Sequence, residues 1–265
     1  YYLSSEVQPF SDTYGLSEFS KKICSRIHDL PDFDIRLNQP KYGYISERKY
    51  ILREVIRLKD MLIEFSTEEE SVNLKSAFIP NTRVQIYFTE SEKYFKPVTE
   101  LLYKAKNGRP YSNNSEKFAF FAKVALETIT RLFWKPDVIV CNDWQMSFVP
   151  ILLKQQYKNI EFYKDIKTVF ILHSIDEYRY FSSSSYKYLG IDSDSDTVDN
   201  IELAIKYSDY LIVVDNEKKE ISKLFKKNKK LVDAHKKTKT KFLNISSTSK
   251  WSEISKEVET LLRKI

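Results

Sequence analysis

Short runs of apolar residues recur along the chain, and stretches with helical periodicity separate them. Residues 17–30 place Phe19, Ile23 and Ile27 at spacings of three to four, which predicts an amphipathic helix, and residues 116–133 repeat the pattern. The apolar runs themselves are strand-sized, and most are apolar at every position. The predicted strands are residues 1–3, 34–37, 84–88, 138–141, 168–172 and 210–214.

Strands that are apolar throughout, alternating with helices, predict a mostly parallel sheet covered by helices on both faces. Right-handed crossovers connect the strands of such sheets. The predicted fold is therefore an α/β, Rossmann-like, doubly wound sheet. Ligands of this class bind at the carboxyl ends of the strands, so the loops that leave those ends are where a site is expected.

Charged or serine-rich stretches interrupt this order at residues 68–70, 182–185 and 192–196, which we predict to be solvated loops. Asp192, Asp194 and Asp196 alternate like calcium ligands, but the glycine and the final glutamate of a calcium loop are missing. No metal is therefore expected. After Lys218 the periodicity decays, and order is expected to return only at residues 252–265. We divide the chain into a Rossmann-like domain (1–221), a lysine-rich linker (222–250) and a C-terminal amphipathic helix (251–265).

Composition and length exclude several classes of protein. The chain has 265 residues, of which 42% are hydrophobic, enough to bury a core. Its longest apolar runs fall far short of the roughly 20 residues that a membrane span needs. The two cysteines, Cys24 and Cys141, lie far apart, which favours a reducing compartment over a disulfide framework. We therefore expect a cytoplasmic protein without a membrane span.

The positive charge is concentrated in one segment. Residues 218–250 hold twelve lysines against Glu220 and Asp233, which is +10, while the rest of the chain has 31 basic and 35 acidic residues, which is −4. A nucleic-acid-binding domain is not expected, because its basic residues would line a groove between aromatic side chains. The segment is expected to be solvated, with an acidic partner or a membrane surface as the alternative.

The first predicted strand runs directly into a loop and a helix. Such a junction, with a glycine at the start of the helix, offers backbone N–H groups and a helix dipole to a phosphate. The loop reads Ser4-Ser5-Glu6-Val7-Gln8-Pro9-Phe10-Ser11-Asp12-Thr13-Tyr14-Gly15-Leu16.

This loop resembles that of the bacterial glycogen synthases and plant starch synthases, which reads Ser-Ser-Glu-Val-x-Pro-Phe-x-Lys-Thr-Gly-Gly-Leu. Five further segments resemble the family's motifs in the same order, and together they cover roughly residues 1–221. They are Pro40-Lys41-Tyr42-Gly43, the run from Tyr111 through Asn113 and Lys117 to Phe121, Pro136-Asp137-Val138-Ile139 with Asn142-Asp143-Trp144-Gln145, Thr168 to His173, and Tyr207-Ser208-Asp209.

The resemblance implies the N-terminal half of a two-domain, GT-B type glycosyltransferase. Such enzymes transfer glucose from ADP-glucose or UDP-glucose to the non-reducing end of an α-1,4-glucan with retention of configuration, and they use no metal or other cofactor. By resemblance, His173 is the catalytic candidate. The donor-phosphate loop is Asp12, Thr13, Tyr14 and Gly15, and the acceptor-binding candidates are Glu6, Asn113, Asn142, Asp143, Trp144 and Gln145.

Several of these positions depart from the family pattern. Asp12 replaces the family's lysine, so a charge that would attract a diphosphate becomes one that repels it. Tyr14 replaces a glycine and adds a side chain where the backbone would approach a ligand. Asn113 replaces an aspartate, and Asn142 and Gln145 replace the histidines around Asp-Trp, so amides remain where imidazoles are lost.

Two functions follow from the matches and departures. The first is glucosyl transfer, with the donor-binding domain supplied by a separate partner protein, because no second Rossmann-like domain follows residue 221. The second is a non-catalytic, glucan-binding or regulatory subunit. Two residues carry their own alternatives: His173 is either functional or a hydrogen-bonded structural histidine. Trp144 either lines a sugar-binding groove, as we expect, or packs in the core as most aromatic residues do.

Overall fold

The computed structural model describes residues 1–98, 101–193, 195–236 and 238–265. Nine α-helices occur in these residues, and short 3-10 turns lie at Ile56–Leu58, Trp144–Met146 and Glu177–Arg179. The helices are α1 (Leu16–His28), α2 (Glu47–Tyr50), α3 (Asn114–Arg131), α4 (Phe148–Gln155), α5 (Ser183–Tyr188), α6 (Asn200–Tyr207), α7 (Glu220–Lys227), α8 (Lys229–His235) and α9 (Trp251–Leu262).

Ten strands form one large sheet in the order β12-β11-β8-β7-β1-β2-β6-β5-β3, with β4 paired to β5, and β9 and β10 form a separate antiparallel pair. The strands are β1 (Tyr2–Leu3), β2 (Arg36–Pro40), β3 (Arg53–Glu54), β4 (Met61–Phe65), β5 (Glu68–Phe78), β6 (Gln85–Glu90), β7 (Val138–Asn142), β8 (Lys167–Leu172), β9 (Tyr180–Ser182), β10 (Thr197–Asp199), β11 (Tyr210–Asp215) and β12 (Lys239–Asn244).

The seven strands from β12 to β6 run parallel, and β5 turns the sheet antiparallel. The mostly parallel α/β sheet is thus confirmed. Its central strands are buried on both faces, because α1 and α3 cover them with apolar side chains such as Phe19, Ile23 and Phe118. β1 lies in the middle of the sheet between β2 and β7, so the loop that follows β1 meets the ends of β7 and β8.

The prediction of a solvated loop at residues 68–70 is wrong. Glu68 begins β5, which pairs with β4 as a hairpin. The three glutamates lie on the exposed or half-exposed part of the strand, while Val72 and Leu74 further along are buried. Charged side chains can occupy the solvated face of a strand, so a run of charge does not exclude a strand. The serine run at 182–185 is also no loop, since Ser182 caps α5.

Of residues 192–196, those that the structure describes lie in no helix or strand, and β10 begins at Thr197. Asp194 lies outside the described residues. Among the residues that are described, no group of three or more His, Cys, Asp or Glu side chains is arranged to hold a metal.

The prediction that order returns only at residue 252 is also wrong. α7, α8 and β12 fold between Glu220 and Asn244, and β12 pairs with β11 in parallel over six residues. Phe225, Leu231 and Leu243 are the buried residues of these elements. Each of these short elements thus buries a single apolar side chain, and the lysines around it hide the periodicity.

Within the predicted C-terminal segment 251–265, α9 spans Trp251–Leu262 and packs on α1. Its Trp251 ring lies 6.2 Å from the Phe19 ring of α1, and its last turn is tied by Arg263, which is 3.2 Å from Asp32. Val258 is buried in this contact. In the part of the chain that is described, no helix is both long enough and apolar enough to cross a bilayer.

Candidate functional site

The carboxyl ends of β1, β7 and β8 converge on one point of the sheet. β7 ends at Asn142 and is followed by Asp143, and β8 ends at Leu172 and is followed by His173. The loop after β1 carries Tyr14 across to them, since Tyr14 Oη lies 3.2 Å from Asp143 Oδ2. The topology therefore brings together residues that are 129 positions apart in the chain.

Asp143 is the centre of this cluster. Its carboxylate accepts hydrogen bonds from the backbone N–H groups of His173 (3.1 Å) and Ser174 (3.2 Å), from Ser174 Oγ (2.9 Å) and from the Tyr14 phenol. Asp143 has φ = 64°, a conformation that is rare for residues other than glycine. Complete burial raises the pKa of Asp143 from 3.8 to about 7, although the N–H and O–H donors act against this.

His173 is held as a neutral imidazole. Asn142 Nδ2 donates to Ser20 Oγ at 2.9 Å, which turns Asn142 Oδ1 towards His173 Nε2, also at 2.9 Å. Because that oxygen only accepts, His173 carries its proton on Nε2. Burial lowers the pKa of His173 from 6.5 to about 3. Its ring also packs edge-on against Phe19, with the centroids 4.9 Å apart.

Glu6 anchors the loop after β1. Its carboxylate accepts from Thr13 N and Thr13 Oγ1, both at 2.6 Å, and from Tyr103 Oη at 2.7 Å. Glu6 is fully buried, and this burial raises its pKa. These three contacts occupy Glu6 and fix Thr13.

The remaining residues of the predicted donor-phosphate loop also bind within the protein. Asp12 accepts from Ser17 Oγ and from Gln8 Nε2 (2.8 Å). The Tyr14 phenol accepts from Gln145 Nε2 at 2.8 Å while it donates to Asp143. Gly15 has φ = −54°, and a Cβ there would meet nothing within 4 Å, so this position does not require glycine. The side chains of Asp12 and Tyr14 are thus engaged in hydrogen bonds within the protein.

The prediction that Trp144 lines an open groove is wrong. Only 2% of Trp144 is exposed. Its ring stacks on Tyr178 at 5.3 Å and meets Tyr103, Phe118 and Phe181 edge-on. The neighbouring Gln145 is also buried, and its Oε1 has no hydrogen-bond partner among the described residues. Trp144 is therefore a core residue, and Gln145 is the member of the cluster with a spare acceptor.

Asn113 is the predicted site residue that the structure separates from the others. It precedes α3, and its side chain makes no capping hydrogen bond. Together with Tyr94, Tyr111 and Lys117 it lines an open cleft of about 480 Å³. Lys117 is nearly buried, and burial lowers its pKa to about 8. Its Nζ lies 5.3 Å above the centre of the Tyr111 ring.

Sequence reasoning did not select Tyr94, Tyr111 or Lys117 as site residues. Tyr111 and Lys117 stand in the same motif as Asn113, at positions −2 and +4, so the motif itself was the signal. Tyr94 lies in the turn after β6 and outside the motifs, so the sequence carried no signal for it.

A second cavity, of about 510 Å³, lies at the opposite end of the strands between α1 and α9. Its walls are mainly buried apolar side chains, such as Ile23, Val169 and Val258. It contains none of the site residues predicted from the sequence. The predicted site residues around Asp143 lie instead at the carboxyl ends of the strands, where ligands of this fold class bind.

A mostly parallel, doubly wound sheet with its polar cluster at the carboxyl ends of the central strands defines the class: a Rossmann-like domain of the GT-B glycosyltransferases. The family model of the starch synthase catalytic domain matches residues 1–233. The chain belongs to this family, the glycogen and starch synthases.

Curated relatives and a solved structure agree with this assignment. The chain is 39% identical over 174 residues to a glycogen synthase of Pelodictyon phaeoclathratiforme, which covers 66% of this chain and 35% of that protein. It is 32% identical over 215 residues to a glycogen synthase of Chlorobaculum parvum, which covers 78% of this chain and 44% of that protein. The chain thus spans less than half the length of these relatives.

The fold is similar to that of the catalytic domain of Starch Synthase IV from Arabidopsis thaliana, solved with ADP and acarbose bound. The TM-score is 0.72 at 20% identity, and the match covers 92% of this chain and 50% of that one. At this identity the comparison establishes the fold, and it confirms the Rossmann-like half of a GT-B domain that the sequence predicts.

Proposed function

We propose that this chain is a glucan-binding, non-catalytic member of the glycogen and starch synthase family. In this proposal residues 1–221 are the acceptor-side Rossmann-like domain, and an α-1,4-glucan binds in the cleft of Tyr94, Tyr111, Asn113 and Lys117. The observation that carries it is the contrast between this open cleft and the closed cluster around Asp143.

The closed cluster argues against donor binding by this chain alone. A nucleotide sugar brings a diphosphate, and the loop offers it the carboxylate of Asp12 at the position of the family's lysine. Two unit charges 4 Å apart repel by about 4 kcal/mol at an effective dielectric constant of 20. The Tyr14 phenol is also hydrogen-bonded to both Asp143 and Gln145. A ligand hydroxyl would have to displace this phenol to bind the same two side chains.

Proton transfer by His173 is also unfavourable. Its Nε2–H is already used on Asn142, and its lowered pKa means that the ring stays neutral at physiological pH. A general acid or base works best when its pKa lies near the working pH. We assign His173 a structural role in joining the ends of β7 and β8.

The open cleft has the chemistry that a neutral glucan requires. Tyr111 is half-exposed, so its ring can offer an apolar face to a sugar ring and its hydroxyl can supply a hydrogen bond. Asn113 adds an amide that both donates and accepts. The cleft volume of about 480 Å³ falls within the range of small-ligand sites, roughly 300–1,000 Å³.

The second candidate function is glucosyl transfer from ADP-glucose or UDP-glucose, with a separate protein supplying the donor-binding domain. It is favoured by one observation: the chain belongs to a family of synthases. Under either function we propose a cytoplasmic location, because the free, buried thiols of Cys24 and Cys141 fit a reducing compartment.

Isothermal titration with maltoheptaose and, separately, with ADP-glucose tests the proposal. We expect heat from maltoheptaose only. Tyr111→Ala and Asn113→Ala should weaken glucan binding several-fold, whereas Tyr180→Ala, at a half-exposed tyrosine outside the cleft, should leave it unchanged. Binding of ADP-glucose would overturn the non-catalytic reading and favour transfer, and equal glucan affinity in all three variants would refute the cleft.

A further inference from the structure

A basic surface lies at one edge of the large sheet. It is formed by α7, α8 and β12, and β12 is the terminal strand of the sheet. Of the ten lysines described between Lys218 and Lys241, Lys236 and Lys241 pair with carboxylates. The other eight are exposed and have no carboxylate within 4.0 Å among the described residues: Lys218, Lys219, Lys223, Lys226, Lys227, Lys229, Lys230 and Lys239.

A small groove runs between α7 and β12 within this basic surface. Its volume is about 190 Å³, and it is lined by Lys219, Lys226 and Phe242 together with Ser222 and Asn244. Phe242 is 42% exposed on β12. The groove, which we call the lysine groove, thus combines an aromatic ring with two unpaired cations beside an open strand edge.

The opposite end of the sheet carries the reverse charge. Residues 60–70 contain five carboxylates and no lysine or arginine, and they form the β4–β5 hairpin, which we call the acidic hairpin. β4 pairs with β5 alone, so it is also an edge. Leu62 is 54% exposed, and Glu64 lies on the same face because side chains two apart on a strand do.

The acidic hairpin is held firmly at its tip. Ser66 N donates to Tyr188 O at 3.2 Å, and the Phe65 ring packs against Phe120 at 5.2 Å. Glu64 nevertheless stands directly opposite Glu69 in the strand register. Within the described chain neither carboxylate has a basic side chain within 4.0 Å. Like charges directly opposite each other destabilise a strand pair, and a cationic partner would relieve this.

We propose that the acidic hairpin of one copy of this chain docks in the lysine groove of a second copy. Leu62 then packs on Phe242, and the Glu64–Glu69 pair faces Lys219 and Lys226. A second copy is the best-supported partner, because this chain carries both complementary surfaces. The acidic hairpin presents Leu62 beside carboxylates, and the lysine groove presents Phe242 beside lysines. The lysines of β12 repel the β12 edge of another copy, but they attract the acidic edge strand β4.

The contact joins different surfaces of the two copies, so it is heterologous. Each copy in a pair still has one free hairpin or groove, and association continues into rings or linear chains. The proposal is independent of the glucan-binding function, because neither Tyr111 nor Asn113 takes part in it.

Sedimentation velocity over a range of concentrations tests it. In about 20 mM salt we expect the mean mass to at least double from the 31.4 kDa of one chain, and to return to it in about 0.5 M salt because screening weakens exposed ion pairs. The acid-reversed variant Glu64→Lys/Glu69→Lys and the base-reversed variant Lys219→Glu/Lys226→Glu should each be monomeric. A 1:1 mixture of the two should associate again.

The control Glu161→Lys/Asp165→Lys makes the same charge change as the acid-reversed variant, but at exposed residues outside both surfaces. It should associate like the original chain. A chain that stays monomeric at low salt and high concentration overturns the proposal. So does association that survives in either reversed variant, or a mixture that fails to restore it. Salt-sensitive association lost equally in the control would assign the effect to net charge and also overturn it.

Discussion

Asp143 and His173 should give the stability of this protein opposing pH dependences that cancel. Burial raises the pKa of Asp143 from 3.8 to about 7, so between these values the folded state holds a proton that the unfolded state has lost. Burial lowers the pKa of His173 from 6.5 to about 3, so between these values the unfolded state holds a proton that the folded state lacks. Both groups lie in one cluster.

The signs follow from proton linkage. The free energy of unfolding rises with pH where the unfolded state binds more protons, by about 1.4 kcal/mol per pH unit for one proton. Asp143 therefore lowers stability by about 4 kcal/mol as the pH rises from 4 to 7. His173 raises stability by about 5 kcal/mol from pH 3 to 6.5. Between about pH 4 and 6.5 the two slopes cancel.

Single substitutions should reveal each slope. In Asp143→Asn the free energy of unfolding, relative to the original chain, should rise by about 1.4 kcal/mol per pH unit between pH 4 and 6.5. In His173→Gln, whose amide can still donate to Asn142, it should fall by the same amount. The double variant should match the original slope.

Urea denaturation followed by tryptophan fluorescence, at half-unit steps of pH, measures these differences directly. Comparing each variant with the original chain removes the contributions of all other titrating groups. Glu161→Gln, at an exposed glutamate, is the control and should change no slope. A difference between Asp143→Asn and the original chain that is independent of pH would refute the raised pKa of Asp143, and the same result for His173→Gln would refute its buried, neutral state.

Two further substitutions test packing. Trp144→Ala should cost about 3–5 kcal/mol of unfolding free energy, measured with urea, because it empties a fully packed site; a stable variant with weaker glucan binding would contradict the core assignment. In Gly43→Ala the added Cβ would lie 2.2 Å from the carbonyl oxygen of Lys96, so we expect a loss of about 2 kcal/mol or more. Gly15→Ala is the matched control and should change stability by less than about 1 kcal/mol, and an equal loss in both would refute the close-contact argument.

The central sheet was predictable because its strands are buried on both faces. β7 and β8 read as unbroken apolar runs, since a parallel strand between two helical layers has no solvated side. The same logic failed at the edges. β12 buries only Leu243 and carries Lys239 and Lys241 among its other residues, so its sequence resembles a solvated segment. What makes it a strand is its pairing with β11, a non-local contact that local periodicity does not report.

The location of the site was predictable from the sequence, but the hydrogen-bond partners of its side chains were not. The motifs identified which residues meet at the carboxyl ends, because the topology of the fold class fixes where each loop points. They did not show that the phenol of Tyr14 would donate to Asp143, or that the Glu6 carboxylate would accept hydrogen bonds from Thr13 and Tyr103. All three contacts depend on side-chain rotamers, and the Tyr14–Asp143 and Glu6–Tyr103 contacts join residues more than 90 positions apart.

Three of the five departures from the family pattern belong to the hydrogen-bonded cluster around Asp143. Tyr14, which stands where the family has a glycine, donates to Asp143 and accepts from Gln145, which stands where the family has a histidine. Asn142, at the other histidine position, bonds Ser20 and His173. Random replacement of buried polar residues would leave several polar groups without hydrogen bonds, and each would lower stability by about 1–3 kcal/mol. Here the three substituted side chains satisfy one another and their neighbours, and Gln145 Oε1 is their single unpaired atom within the described chain. That pairing supports our proposal of a binding role rather than a catalytic one.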